Sequence, residues 1–589
     1  WTASATFQEL DNKYNLQDIS VNRLQLALRG YGSRAGDSNQ CTSADTNNWT
    51  LDTAAGNESL GCYYFNPFTN AFAQSTSNVA ANPFYAPAGS AAVADYTNAQ
   101  NARASVVDWM EEEQYNEIAV TLFTVDLVFS GKLPWTLLSD EQVAWAGGVQ
   151  MRYDRTKQTP DVLYDANATP CVDSPPFGDG TPFCPTTSNG PFLFNANLRP
   201  YDVTRKIYAA FGELRLPFTD TLEVTVAARA ESYESADTTF NPKATIRWQA
   251  TDWLALRGTV GTTYRAPLAT TTDSTRFVRG LSNGSGTYRA NDLFGNSSLQ
   301  PETAFTYDVG AILEVGPMTA TIDYWNFEFK DQLTTESVSD MLAVVNGVGA
   351  GNGHCADPSY AAVLARISFT GAACNTSGDL TKINSGNILS YRTYNINGGG
   401  ISTDGIDFQV NFRFDELLLG GDVSFGVDGT YLLSFDESPY LIEGKATGVS
   451  AACPTGGCSV ARAGTYRPDV FTGYNQLRAN AFFNWNMGIH NLRWQVRYTS
   501  STDITGATYV AFATTTGSVS NGASLKVGAY WQHDITYRVE LPWETVATIS
   551  VQNIFDEDPP FAFGTQYNYD PGSGNPLGRV ISVGVKKIF

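Results

Sequence analysis

Ile406-Asp407-Phe408-Gln409-Val410-Asn411-Phe412-Arg413-Phe414 alternates apolar and polar residues over nine positions. Successive side chains on a strand point to opposite faces, so this segment has one greasy face and one wet face. The same period of two recurs in Thr221–Ala230, Lys243–Ala250 and Leu492–Tyr498. A sandwich strand also alternates, but such strands are short and their apolar face needs a second sheet. These runs reach about ten residues, the length a tilted strand needs to cross a bilayer.

Working outward, seventeen candidate strands follow. They lie near 1–8, 19–30, 116–132, 142–155, 202–216, 221–233, 240–250, 253–265, 304–315, 318–331, 388–414, 422–435, 474–487, 491–503, 524–540, 545–555 and 578–589. The links between them alternate in length. Short ones fall at 133–140, 217–220, 251–252, 316–317, 416–421, 488–490 and 541–544. Long ones fall at about 31–115, 156–201, 266–303, 332–387, 436–473, 504–523 and 556–577, and only the link near 234–239 departs from the pattern. Short turns on one side and long loops on the other are the arrangement of an outer-membrane β-barrel. The expected fold class is therefore all-β, a transmembrane antiparallel barrel. Helical spacing in the loops predicts short helices over Ala104–Glu113, Val338–Val345 and Ser359–Ile367.

Composition agrees. Of 589 residues only 16% are charged, while 12 Trp, 29 Tyr and 33 Phe make the chain rich in aromatics. No apolar run is long enough for a transmembrane helix. The net charge of −22 argues against a nucleic-acid partner. The chain opens Trp1-Thr2-Ala3, with no signal peptide in view, although a barrel needs export.

Cys41, Cys62, Cys171, Cys184, Cys355, Cys374, Cys453 and Cys458 form four sequence-local couples, each inside one loop-like stretch. Neighbour pairing keeps each bridge within its own loop, which implies an oxidising compartment. A metal site is the weaker reading, since only His354 of three histidines lies near a cysteine. Enzyme signatures are thin. Gly280-Leu281-Ser282-Asn283-Gly284 matches a nucleophile-elbow pattern but sits in a Ser/Gly/Asn loop. Gly347-Val348-Gly349-Ala350-Gly351 has no βαβ unit around it. The chain reads as no enzyme and as needing no cofactor or metal.

Five segments then resemble, in order, the signature elements of TonB-dependent outer-membrane receptors. Tyr264-Arg265-Ala266-Pro267 is similar to their Phe-Arg-Ala-Pro segment. Leu299-Gln300-Pro301-Glu302-Thr303 with Tyr307-Asp308-Val309-Gly310 resembles a Pro-Glu element, with Asp308 where Glu is usual. Asp323-Tyr324-Trp325-Asn326, Asn397-Gly398 with Thr403-Asp404-Gly405-Ile406-Asp407, and Val551-Gln552-Asn553-Ile554-Phe555-Asp556 supply the rest. The terminal Phe589, with Val585, Val583 and Ile581 at alternate positions, resembles the end by which such barrels are recognised for insertion; Lys587 interrupts that series. Tyr63-Tyr64-Phe65-Asn66-Pro67-Phe68 resembles the large-loop members.

The resemblance implies a barrel of about 22 strands around an N-terminal plug. Residues 1–589 are then the C-terminal barrel portion, with the plug, its TonB box and roughly five strands elsewhere, in the same or a separate chain. It implies a Gram-negative outer-membrane importer whose partners are the plug, the TonB complex, the lipid bilayer with lipopolysaccharide, and a scarce small-molecule solute such as a siderophore, vitamin or saccharide. A passive porin and a soluble β-rich binding module are the rival readings. Candidate solute contacts are Tyr64, Phe65, Tyr264 and Arg265. Candidate lumen-facing residues are Arg215, Arg257, Arg413, Arg493 and Arg497, each on the polar side of its strand.

Overall fold

The computed structural model describes residues 1–21, 23–24, 109–164, 168–169, 192, 198–234, 236–274, 277–282, 284, 288–450, 453–467, 472–505, 526–562 and 568–587. Among them, sixteen long strands form one antiparallel sheet in chain order. They are β1 (Thr2–Ile19), β2 (Glu111–Thr136), β3 (Gln142–Pro160), β4 (Tyr201–Pro217), β5 (Leu222–Tyr233), β6 (Ala236–Thr251), β7 (Leu254–Arg265) and β8 (Glu302–Val315). There follow β9 (Met318–Lys330), β10 (Ile401–Leu418), β11 (Gly421–Glu437), β12 (Leu477–Met487), β13 (His490–Thr499), β14 (Tyr530–Leu541), β15 (Thr545–Gln552) and β16 (Val580–Lys587). A two-residue strand, Val460–Ala461, extends the sheet against the end of β11.

Every long strand pairs with its sequence neighbour; the seven expected short links are tight turns, and β5 and β6 are joined by an eighth, with Tyr233 paired to Ala236 where a link near 234–239 departs from the length pattern. Left-handed backbone appears where the chain reverses: Leu419-Gly420 at φ 55° and 73°, and Gly488 at φ 54°. Positive φ at both central positions, as in Leu419-Gly420, matches the twist of the flanking strands.

Register decides which face is which. Arg257, Gly310, Asp323 and Asp407 lie in one row across β7, β8, β9 and β10. One residue along, Leu256, Ala311, Ile322 and Phe408 lie in the row facing the other way. The apolar face is uncovered: Val309 is 58% exposed, Ile322 50%, Trp494 43% and Val583 74%. A soluble sandwich would bury these side chains against a second sheet. An exposed apolar band on alternating strands is instead the surface a membrane barrel offers to lipid. No described helix is long and apolar enough to cross a membrane.

Three expectations change. The predicted strands 1–8 and 19–30 are not two crossings. β1 runs to Ile19 and pairs residue by residue with β2 as far as Glu111. The residues beyond the expected end of the first strand near 8 extend the hairpin: Asn15 donates to Glu113 at 2.7 Å and Asn116 to the Tyr14 hydroxyl at 2.6 Å. The count of long strands among the described residues is thus sixteen, not seventeen. Of the helix expected over Ala104–Glu113, residues 104–108 lie outside the described residues, Trp109 and Met110 are helical, and Glu111–Glu113 belong to β2. The segment 388–414 is two strands, and the first, Ile388–Asn397, leaves the main sheet.

That first strand organises a module made of loops. It pairs in parallel with Arg289–Phe294 and antiparallel with Ile367–Phe369 and Leu333–Thr335. Helix α1 (Val338–Asn346), predicted from its spacing, lays Val338, Met341, Leu342 and Val345 into a core with Ile367, Ile388 and Tyr391. Ser337 caps it, accepting from the Asp340 amide at 3.2 Å. Ser359–Ile367 holds a 3-10 turn and the four-residue α2 (Ala361–Leu364), and Ile367 already begins a strand. The glycine-rich run Gly347–Gly351 ends α1. Gly347 has φ 57°, and a Cβ there would fall 2.1 Å from the Asn352 carbonyl oxygen, so glycine is required by backbone shape rather than by a nucleotide. Gly280, Leu281 and Ser282 lie in the strand Phe277–Ser282 rather than in a strand–turn–helix elbow.

Cys355–Cys374 and Cys453–Cys458 are bridged, as neighbour pairing expects. Cys41, Cys62, Cys171 and Cys184 lie outside the described residues, as do Tyr64, Phe65 and Phe589. The Cys355–Cys374 bridge closes a separation of 19 residues. Cys355→Ser with Cys374→Ser is expected to destabilise the module by about 3 kcal/mol. Trypsin cleavage within 340–395, compared with and without the bridge, reads this directly.

Candidate functional site

The signature segments meet one another at the long-loop end of the sheet. Arg265, at the end of β7, holds Glu302, at the start of β8, by two bonds of 2.8 and 2.9 Å. Glu302 also accepts the Leu333 amide at 2.9 Å, fixing the chain as it leaves β9. The Asn397 side chain accepts the Gln300 amide at 2.8 Å and donates to the Gln300 and Asp331 carbonyls at 2.8 and 2.9 Å. Three segments distant in sequence are thereby tied at one point.

Tyr264 shares its hydroxyl with that of Tyr233 at 3.0 Å, and Tyr233 donates to Glu231 at 2.5 Å. Arg205, nearly buried, donates to the Pro267 carbonyl and to Asp154, both at 2.8 Å. Tyr264 and Arg265 are thus engaged in holding the strand-to-loop transition. Asn397→Ala removes three bonds and leaves the Gln300 amide unpaired. It is expected to cost about 2 kcal/mol, read as earlier urea unfolding of the loop module with the sheet unchanged.

Two signature glycines are explained by contact. Arg257 reaches across β8 to Asp323 with bonds of 2.7 and 2.6 Å. A Cβ on Gly310 would stand 1.8 Å from the Asp323 carboxylate. The Trp325 ring lies over Gly405, where a Cβ would be 2.4 Å from the indole. Near the other edge of the sheet, Asn553 (φ 50°) donates to and accepts from the Glu557 backbone, both at 2.9 Å, and its amide donates to Asp534.

The predicted arginines all sit on the polar face. Arg215 pairs with Glu141 and Glu223, Arg257 with Asp323, and Arg497 with Asp534. Arg413 stands 3.8 Å from Asp415 in an exposed pair, and Arg493 lies 4.8 Å over the Phe482 ring. Between Arg257 and Arg497 the wall forms a groove of about 640 Å³. Asp407 and Asp428 line it, held by neutral donors: the Thr430 hydroxyl at 2.6 Å and the Asn480 amide at 2.9 Å.

Sequence reading missed the residues directly above this groove. Trp325, Phe327 and Phe329 share the face of Asp323, so three rings stand on the otherwise polar side of β9. The signal was present: Ile322 and Tyr324 alternate with Asp323 in the membrane phase, and the apolar phase then flips.

The sequence matches the family model described as "TonB dependent receptor-like, beta-barrel" over residues 2–554, and the chain belongs to that family. Receptors of this family are transport proteins of the Gram-negative outer membrane. No curated protein matches the sequence. Among solved structures, the siderophore receptor PirA from Acinetobacter baumannii is similar at 14% identity and TM-score 0.50, covering 81% of this chain and 56% of that one. A mutant ferric enterobactin receptor of Pseudomonas aeruginosa, solved in complex with enterobactin, is similar at 13% identity and TM-score 0.48, covering 81% and 59%. The chain thus spans a little over half the length of these receptors.

Proposed function

We propose that this chain is the barrel wall of an outer-membrane import receptor that binds a scarce solute at its long-loop end and passes it inward with TonB-coupled energy. One observation carries the reading: a continuous antiparallel wall with an exposed apolar face, whose signature residues lock the loops to the strand ends. The polar face is the lumen, with Arg215, Arg257, Arg413 and Arg497 in wall ion pairs and Arg493 over Phe482. The edges of β1 and β16 each lack a partner among the described residues, and unpaired strand edges are costly in lipid. A family barrel of about 22 strands leaves about six strands, with a plug, to close the wall. Those strands come from the same chain or a second one. The solute belongs to the siderophore, vitamin or saccharide class, and the exposed apolar band meets lipid and lipopolysaccharide.

Uptake by cells expressing the protein tests this. Import should stop when the inner-membrane proton gradient is collapsed. Undiminished passive flux through reconstituted bilayers would instead make the protein a porin.

A further inference from the structure

Large apolar rings on the wet side of a barrel wall need a partner. Trp325, Phe327 and Phe329 rise along β9 with ring centroids 5.5 and 6.2 Å apart, and Phe327 and Phe329 stack at 13°. Their neighbours in the same rows are mostly small: Asp308 and Gly405 beside Trp325, Thr306 and Thr403 beside Phe327, and Ala304 and Ile401 beside Phe329. The Trp325 ring lies over Gly405, while Phe327 is 36% exposed on the same face. Their spacing is close to one pyranose repeat, and flat apolar faces stack well on aromatic rings.

The groove below supplies the other half of the recognition. Asp407 lies one inward-facing row beneath Trp325, about 7 Å along the strand, in the row of Asp323. Asp407 and Asp428 take bonds from neutral donors, so each keeps acceptor capacity for hydroxyl groups. The charge of the wall selects further. The groove lining sets Asp323, Asp407 and Asp428 against Arg257, Arg478 and Arg497, and two of those arginines are already paired with carboxylates. An anionic iron chelate needs an excess of positive charge, which the described lining of this groove, three carboxylates to three arginines, does not carry. A neutral polyol meets no such repulsion and uses both carboxylate and amide groups.

We propose that the solute is an uncharged oligosaccharide, its rings stacked on Trp325, Phe327 and Phe329 and its hydroxyls bonded to Asp407 and Asp428. This rests on the import-receptor reading for the location of the lumen.

The test is equilibrium binding to the purified full chain in detergent, by calorimetry. The probes are maltohexaose, cellohexaose, xylohexaose and chitohexaose, with the iron(III) tris-catecholate complex as the anionic rival. At least one hexasaccharide binds, and the ferric complex does not. Phe327→Ala weakens that binding about tenfold, and Phe327→Leu, which keeps apolar bulk without a ring, weakens it similarly. Asp407→Asn weakens it while leaving thermal unfolding unchanged. Absence of hexasaccharide binding at millimolar concentration, binding of the ferric complex, or wild-type affinity in Phe327→Leu overturns the proposal. Energy-dependent uptake of the ferric complex would sink this inference and leave the import reading standing. Saccharide binding without energy-dependent uptake would do the reverse.

Discussion

Arg366→Met is expected to melt the loop module and leave the sheet folded. The Arg366 guanidinium donates to both oxygens of Glu336, and the two side chains are 7% and 4% exposed. It also reaches Glu443 and the Arg392 carbonyl, and lies 4.6 Å over the Tyr394 ring. Glu336 in turn accepts the Tyr394 amide at 2.8 Å. Removing the cation leaves a carboxylate buried among apolar groups with nothing to neutralise it. Loss of one partner from such a pair costs about 3–5 kcal/mol, enough to unfold a small loop-built unit. Hydrogen exchange should show amides from 336 to 397 losing protection while those of β12 to β15 keep theirs. Replacing both residues, Glu336→Leu with Arg366→Met, should recover most of the loss. If the single and double variants are equally destabilised, the pair is not what holds the module.

The second large effect is a matter of sides. Val309, near the middle of β8 on the apolar face, is 58% exposed. Val309→Arg should destabilise the refolded protein in lipid by about 2–4 kcal/mol, the cost of a cation near the bilayer midplane. Thr306→Arg, on the opposite face of the same strand, should cost far less, because that face is wet. Chemical denaturation in phospholipid vesicles compares the two. Equal costs would mean that the exposed apolar belt does not face lipid.

The wall was legible in the sequence because its alternation has a physical cause at every residue: one side chain to lipid, the next to water. Seven of the tight turns were legible for the same reason, since period-two runs must reverse where they end. What failed lay above the membrane. There strands continue without lipid to enforce alternation, so the first strand was expected to stop near residue 8 while its pairing with β2 carries it on to Ile19. Helix α1 was readable from its spacing, whereas its neighbour strand Ile388–Asn397 was merged with β10. Which sheet a strand joins depends on partners about a hundred residues away, such as Arg289–Phe294. Arg265 was visible as a motif residue, but its bond to Glu302 was not, because spacing along the chain says nothing about which motifs touch. The ring ledge on β9 was hidden by an expectation that apolar residues on a barrel all face outward.

The loop module has a consequence for how such receptors diversify. Its core takes Val338 to Tyr391 from the loop after β9 and Ile442 from the loop after β11. Its sheet takes Arg289–Phe294 from the loop after β7. The Tyr440 hydroxyl bonds both the Ser337 amide and Asp340, and burial, with the Asp340 charge, holds it protonated. These three loops therefore inherit as a set. A graft of any one onto another receptor would arrive without its companions, so exchange of ligand preference by recombination here should succeed only when all three cross over together.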